Sequence, residues 1–382
     1  MSLCLVVVGF IQKKDLLFQV GNFIIFSNDT KTIKLLRKEQ VFFKGFCVPF
    51  CVVNIQLSET NISNMTNKKQ DVVVGKYQPK KKQNLKIYGF IEDKLSEGGR
   101  ELFKDCSTFN QFISTRDKEK NKLIASNPCK NRFCPICAWR KACKDALKIS
   151  TMMEAIKVEE KKVFLFLTLT TPNIKDEFVK SEIDRFNKAF KKLFDRAKVK
   201  KSIKGYIRKL EMTYNKERDD YNPHFHVLLC VDKSYFKKKE LYIKQNEWLS
   251  MWRESTDLIE ITQVHIQKVE LIREGNAVAE VAKYSAKDYE MASSQDVFDV
   301  FYSGLKGRQL IVYSGMFKEY ALKYENGELD KYKSKDENEY FYKIIAKWNP
   351  NLLRFHQDCV ELTEEEKLQY NGSLQEDMEV EN

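Results

Sequence analysis

The sequence predicts an α+β fold built on an antiparallel sheet. Three observations carry this. First, the 382 residues are 43% hydrophobic and contain only 14 Gly and 7 Pro, so the chain can bury a core and is neither disordered nor low in complexity. Second, four apolar runs of strand length fall between residues 162 and 269. Third, two amphipathic helical stretches separate them in the order β-α-β-β-α-β. That order is the split βαβ, ferredoxin-like arrangement, with two helices covering one face of the sheet.

The elements follow in order. Residues 1–64 form an atypical extension with two apolar patches, Leu3–Ile11 and Val41–Leu57. Neither spans the ~20 residues needed to cross a bilayer, and no secretory signal precedes them. The extension reads either as an accessory subdomain or as an over-extended reading frame whose working start is Met65. Residues 65–99 are polar and basic, with Pro79-Lys80-Lys81-Lys82, and are expected to form a flexible basic arm. Residues 100–155 carry a Cys-rich module and a helix over 138–155.

The nicely alternating part comes next. Lys162–Thr171 is apolar on both faces and predicts a central strand, ended by Pro172 and Asn173. Phe178, Ile183, Phe186, Phe190 and Leu193 recur at helical spacing, so 176–197 is an amphipathic helix. Gly205–Tyr214 is the second strand, Asn215–Asn222 a hairpin loop and His224–Val231 the third strand. A helix over 236–253 turns Leu241, Trp248, Leu249 and Trp252 inward. Leu258–Val269 is the fourth strand and Asn276–Glu290 a helix. Leu310–Tyr313 and Phe317–Tyr324 predict a further strand and a short helix. The main domain is thus expected over 156–325, followed by a C-terminal region over 326–382.

Charge is unevenly placed. The formal net charge is +12, yet residues 361–382 hold eight acids against one base. The body is therefore strongly basic, which favours a polyanionic partner. The acidic tail is expected to stand in solvent.

Three constellations carry chemistry. His224-Phe225-His226 places two imidazoles on one face of a strand. Glu211 lies across the predicted hairpin, near His226, so two nitrogens and a carboxylate can converge. Such a set suits Mg²⁺, Mn²⁺ or a catalytic Zn²⁺. Two histidines in a core face are the plain alternative. On the last helix, Glu280, Tyr284 and Lys287 stand at i, i+4 and i+7 and share a face. A tyrosine flanked by a carboxylate and a lysine fits a phenolate nucleophile. A solvated Glu–Lys face is the alternative. Third, Cys129-x4-Cys134-x2-Cys137 has metal-ligand spacing in a chain without a secretory signal. A closed Zn²⁺ site needs a fourth thiolate. Cys106 is preferred to Cys143, which sits on the predicted helix. Free buried thiols are the alternative. Lys130, Arg132, Arg140 and Lys141, beside Phe133 and Trp139, suit a DNA-contacting module.

These residues together resemble a known family. Phe166-Leu-Thr-Leu-Thr-Thr-Pro-Asn173, Asn222-Pro-His-Phe-His226 and Tyr284-Ser-Ala-Lys287 look like the three ordered motifs of rolling-circle replication initiators, which are HUH endonucleases. The Cys129–Cys137 cluster and the stretch from Leu305 to Lys318 narrow the likeness to the Rep proteins of small Gram-positive plasmids. The likeness runs from about Leu85 to Lys318. It departs at Asn222, where the family often has a histidine.

The resemblance implies a replication initiator that binds the double-strand origin and nicks one strand. A divalent ion, Mg²⁺ or Mn²⁺, on His224, His226 and Glu211 would polarise the scissile phosphate. Tyr284 would attack it, Glu280 would activate water for termination, and Lys287 would meet the phosphate. Lys283 joins the DNA contacts, and Zn²⁺ would be structural at Cys106, Cys129, Cys134 and Cys137. The implied partners are plasmid origin DNA and a host helicase and polymerase, since no Gly-x4-Gly-Lys-[Ser/Thr] helicase motif is present. No membrane is implied, a homodimer is an allowed assembly, and the location is the bacterial cytoplasm. A mobilisation relaxase or single-strand transposase would share this chemistry. A zinc-stabilised DNA-binding regulator would use only the Cys cluster and the charge.

Overall fold

The computed structural model describes residues 22–26, 33–37, 53–54, 74–269, 278, 281–282 and 287–378. Met65, Glu280, Lys283 and Tyr284 lie outside them. The chain divides into two units, Met1–Val72 and Val73–Asn382. In the first unit, β1 (Asn22–Phe26), β2 (Ile33–Arg37) and β3 (Val53–Asn54) pair in that order as a three-stranded antiparallel sheet.

The second unit contains ten described α-helices: α1 (Tyr77–Ile91), α2 (Glu97–Asp105), α3 (Pro135–Glu159), α4 (Val179–Phe194), α5 (Ala197–Ser202), α6 (Gln245–Thr256), α7 (Asp288–Met291), α8 (Gln295–Leu305), α9 (Met316–Glu325) and α10 (Glu364–Tyr370). Its strands are β4 (Phe109–Thr115), β5 (Asn121–Ser126), β6 (Val163–Thr170), β7 (Ile203–Asn215), β8 (Asp220–Val231), β9 (His265–Lys268), β10 (Ile311–Gly315), β11 (Tyr340–Asn349) and β12 (Arg354–Glu361). They form two antiparallel sheets, in the orders β10-β7-β8-β6-β9 and β12-β11-β4-β5.

The five-stranded sheet positions the candidate site. Its central strands β6 and β8 read as apolar runs because both faces are covered. On one face α4 and α6 pack their aromatic stripes. Phe186 meets Phe225 at 4.9 Å and Trp252 at 5.3 Å, and Phe190 meets Phe225 at 5.4 Å. On the opposite face, directly paired residues point the same way. Register therefore lines up Thr168, His226 and Lys209 in one row, and Thr170, His224 and Glu211 in the next. The helix α3 lies on this side, with Lys148 Nζ 5.3 Å from the ring of Tyr313.

Several elements differ from the sequence expectation. The hairpin loop is shorter than Asn215–Asn222, because Tyr214 pairs with Tyr221 and Asn215 with Asp220. The rings of Tyr214 and Tyr221 pack 5.0 Å apart, which carries both strands further out. The second helix begins at Gln245, not 236. The fourth strand shrinks from Leu258–Val269 to His265–Lys268. Asp257 ends α6 in a left-handed conformation, and Arg253 Nε then holds Ile261 O at 2.7 Å, so that stretch is a helix-capping loop.

One expectation based on charge is overturned and a second holds only in part. Within the basic arm over 65–99, residues 77–91 form α1, with Tyr77, Lys81, Asn84, Ile87 and Ile91 buried. Polar residues at those helical positions hid the periodicity. In the acidic tail Glu361, Glu364, Glu365 and Glu376 are exposed as expected, but Glu366 and Asp377 turn back onto the protein. Thr363 and Glu366 form a capping box on α10, and Asp377 pairs with Arg140 at 2.7 Å. In addition, β11 and β12 complete the sheet begun by β4 and β5, so the Cys-rich segment and the C-terminal region share one sheet.

Candidate metal centre

Glu211, His224 and His226 converge on the open end of the five-stranded sheet. The β7–β8 hairpin aligns Glu211 with His224, not with His226. Glu211 Oε2 nevertheless lies nearer His226 Nε2, at 3.2 Å, than His224 Nε2, at 3.9 Å. Neighbouring ligands of an octahedral ion held at about 2.1 Å stand about 3 Å apart. The Glu211–His226 separation is close to that spacing, the Glu211–His224 one is wider, all three ligand atoms lie within 4.8 Å of one another, and Oε2 is buried with no aligned donor.

The surroundings fix each ligand. His224 Nδ1 donates to Asn222 O at 3.0 Å, because a carbonyl can only accept. Its Nε2 is thereby turned toward the carboxylate, 3.9 Å from Glu211 Oε2. His226 stacks on Phe166 at 5.5 Å, and its Nδ1 lies 3.5 Å from Thr168 Oγ1. Burial pushes the Glu211 carboxyl up, but the contact with His226 and the nearby His224 and Lys209 outweigh it, so it sits below the usual carboxylate range. Lys209, fully buried in the same row as His226, is pushed down to about 8 by desolvation, against the pull of Asp145 and Glu211.

Sequence reading missed the residues that hold this centre. Asn222 Nδ2 donates to Thr171 O at 3.0 Å and Asn173 Oδ1 at 2.9 Å, and Thr170 Oγ1 donates to Asn222 Oδ1 at 3.2 Å. Asn222 thus clamps the start of the His-x-His strand to the end of β6. The run Thr170-Thr-Pro-Asn173 and Asn222 were visible as motif letters, but only cross-strand register joins them.

The segment carrying the candidate nucleophile is described in part. Val278, Val281 and Ala282 are helical and buried, while Glu280, Lys283 and Tyr284 fall outside the described residues. Lys287 is described, with Nζ 3.4 Å from Glu290 Oε1. Glu290 Oε2 in turn accepts the Tyr214 N–H at 2.8 Å, tying this segment to β7.

A second group of ligand atoms comes from Cys106, Cys129, Cys134 and Cys137. Cys143 is buried on α3, outside this group. The Sγ separations are 3.5 Å for Cys106–Cys137 and 3.6 Å for both Cys129–Cys137 and Cys106–Cys134. Those exceed a disulfide. They approach the roughly 3.8 Å edge of a tetrahedron with Zn–S bonds of about 2.3 Å. Helix α1 backs the cluster. Asn84 Nδ2 donates to Cys134 Sγ at 3.4 Å, and Lys81 Nζ donates to Lys104 O and Cys106 O, each at 2.7 Å.

The basic residues beside this cluster divide into two kinds. Arg132 donates to Leu305 O at 2.9 Å and Arg308 O at 2.7 Å, capping α8. Arg140 is engaged by Asp377. Both guanidinium groups thus have partners within the protein, which charge reading could not see. Lys130 is exposed, and Lys141 is exposed beside Asp145. Among the described residues, no helix is long and apolar enough to cross a membrane.

The chain is similar to known replication proteins. A family model, Rep_1, described as "Replication protein", matches residues 120–356. A "Protein rep" of Staphylococcus aureus is 55% identical over 215 residues, covering 56% of this chain and 93% of the relative. A "Protein rep" of Streptococcus pneumoniae serotype 2 is 36% identical, covering 65% of this chain and 81% of the relative. One of Bacillus amyloliquefaciens is 34% identical, covering 70% and 85%. No solved structure matches. The family match spans both candidate metal-ligand sets except Cys106, and the chain belongs to the Rep_1 replication-protein family, the plasmid Rep proteins that its ordered motifs resemble.

Proposed function

We propose that this chain is a plasmid replication initiator that nicks one strand of a double-strand origin and starts rolling-circle replication. The convergence of Glu211, His224 and His226, in a chain of a replication-protein family, is the observation that supports it. Counted alone, β6, β7, β8 and β9 follow the ferredoxin-like order, with β6 and β8 side by side in the middle and α4 and α6 as the crossing helices.

In this reading Glu211, His224 and His226 would hold a Mg²⁺ or Mn²⁺ ion, which would supply Lewis-acid polarisation of the scissile phosphate. The Tyr284 hydroxyl gives up its proton as its oxygen bonds to phosphorus, the P–O3′ bond breaks, the departing 3′ oxygen takes up one proton in exchange, and the 5′ phosphate stays on the tyrosine. Lys287 lies three residues on and is a candidate phosphate contact. Glu280 activates water for termination. The freed 3′-OH primes synthesis by a host polymerase, with a host helicase unwinding. Cys106, Cys129, Cys134 and Cys137 would hold a structural Zn²⁺ that ties the N-terminal module together. Lys130, Lys141 and Lys283 guide DNA.

Incubation with labelled single-stranded origin DNA and Mn²⁺ or Mg²⁺ tests the reading. A covalent adduct that Tyr284→Phe abolishes is expected. Full nicking by Tyr284→Phe removes the assigned nucleophile, and no adduct from the wild-type chain leaves a non-catalytic DNA-binding regulator.

A further inference from the structure

We infer that Tyr289 is a base-stacking platform for single-stranded DNA beside the proposed nicking centre. The inference rests on the nicking reading and extends it to a substrate contact. Tyr289 is 62% exposed, more than any other Phe, Tyr or Trp among the described residues. The other aromatics of this region are packed. Tyr221 is buried against Tyr214, and Phe301 packs against Tyr221.

The ring stands on a fixed base. Glu290 Oε2 accepts the Tyr214 N–H at 2.8 Å. The next two residues, Met291 and Ala292, are buried at 3% and 1% exposure. Ser293 N donates to Glu290 O at 3.1 Å, which closes the turn. Exposure of Tyr289 is therefore a property of an anchored segment. A rigid, exposed ring loses little conformational freedom when a base lies on it.

Location and charge point to one class of occupant. Tyr214, to which the segment is tied, is three residues beyond Glu211 on β7, or about 10 Å along the strand. Tyr289 follows Tyr284 by five residues. Lys287 Nζ lies 5.9 Å from the Tyr289 ring and is itself half-exposed. An aromatic face next to a half-exposed ammonium, which Glu290 Oε1 also pairs with at 3.4 Å, combines a surface for a base with a charge within reach of its phosphate. Base stacking tolerates any sequence, because every base offers a π face.

Binding of the zinc-loaded full chain to fluorescein-labelled dT12, with no Mg²⁺ or Mn²⁺ added so that cleavage does not start, tests this by anisotropy. Tyr289→Ala is expected to weaken binding about fivefold or more, while Tyr289→Phe and Tyr289→Trp stay within about twofold. The log–log salt slope is expected to hold in Tyr289→Ala and to fall by about 0.7 in Lys287→Ala, since only the lysine releases counterions. Tyr289→Phe keeps the covalent adduct on origin DNA. Wild-type affinity in Tyr289→Ala overturns the inference alone. So does a Tyr289→Phe as weak as Tyr289→Ala, or one without adduct, because the hydroxyl would then be the acting group. A wild-type chain that does not bind dT12 overturns the inference together with the single-strand reading beneath it.

Discussion

Glu211 and His226 meet diagonally across the β7–β8 hairpin, Oε2 to Nε2 at 3.2 Å, although the strand register pairs Glu211 with His224. The right-handed twist of a two-stranded ribbon brings diagonal neighbours together. One carboxylate oxygen can thereby serve both imidazoles. Removing any one of the three leaves two ligands, too few to hold a hard ion firmly. His226→Ala and Glu211→Gln are each expected to lower Mn²⁺-dependent adduct formation about 100-fold or more. Calorimetric titration with Mn²⁺ should show the same loss in affinity. Unchanged Mn²⁺ affinity in both variants would remove this centre as the metal site.

Asn222 acts on the centre through its neighbours. Its amide spans the end of β6, and its carbonyl orients His224. Asn222→Ala keeps the carbonyl but frees the strand start. Loss of such support costs 10–100-fold in metal affinity in comparable sites, so a fall of about tenfold is expected with the melting temperature nearly unchanged. An equal affinity in the variant would show that the backbone alone suffices.

The Cys cluster and α1 should stand or fall together. Lys81 Nζ satisfies two buried carbonyls, Lys104 O and Cys106 O. Lys81→Met leaves both without a donor, at about 1–3 kcal/mol each. Urea unfolding should show a destabilisation of that order. Cys134→Ser should release bound zinc, read by a chromogenic chelator, and should lower the melting temperature because metal binding contributes to folding. A Cys134→Ser protein with a full equivalent of zinc would exclude the cluster as the ligand set.

Acid should loosen the end of α3. Tyr332 and Tyr320 donate to Glu159 at 2.8 Å each, and Lys331 lies 3.1 Å away. These bonds, Tyr332 first, hold the Glu159 carboxyl down at about 2. A carboxyl lowered on folding adds stability that is complete above its unfolded value near 4.5 and is lost as pH falls toward 2. Stability measured from pH 5 to pH 2 should therefore fall less steeply in Glu159→Gln than in the wild type. Parallel curves would show that these hydrogen bonds carry no net charge preference.

Much of the core was legible. The strand β6 reads directly because Val163-Phe-Leu-Phe-Leu-Thr-Leu-Thr170 is apolar on both faces, and α4 because its aromatic stripe keeps helical spacing. The His-x-His pair shares a face by the period of two. The α1 helix was hidden because its buried face includes Lys81 and Asn84, whose polar ends bond to each other and to backbone groups more than 15 residues away. For the same reason Arg132 and Arg140 read as free charge until Leu305, Arg308 and Asp377 came into view.

The α+β class, the order β-α-β-β-α-β and the shared face of His224 and His226 were readable from the chain alone, because periodicity and residue type are local properties. Tertiary structure alone decided the register that seats Glu211 against both imidazoles, the Asn222 clamp, and the gathering of Cys106 with Cys129, Cys134 and Cys137. It also brought the C-terminal strands onto β4 and the acidic tail onto Arg140. Those relations depend on hydrogen bonds and ion pairs between residues far apart in the chain, and no local pattern encodes which distant partner a buried polar group will find.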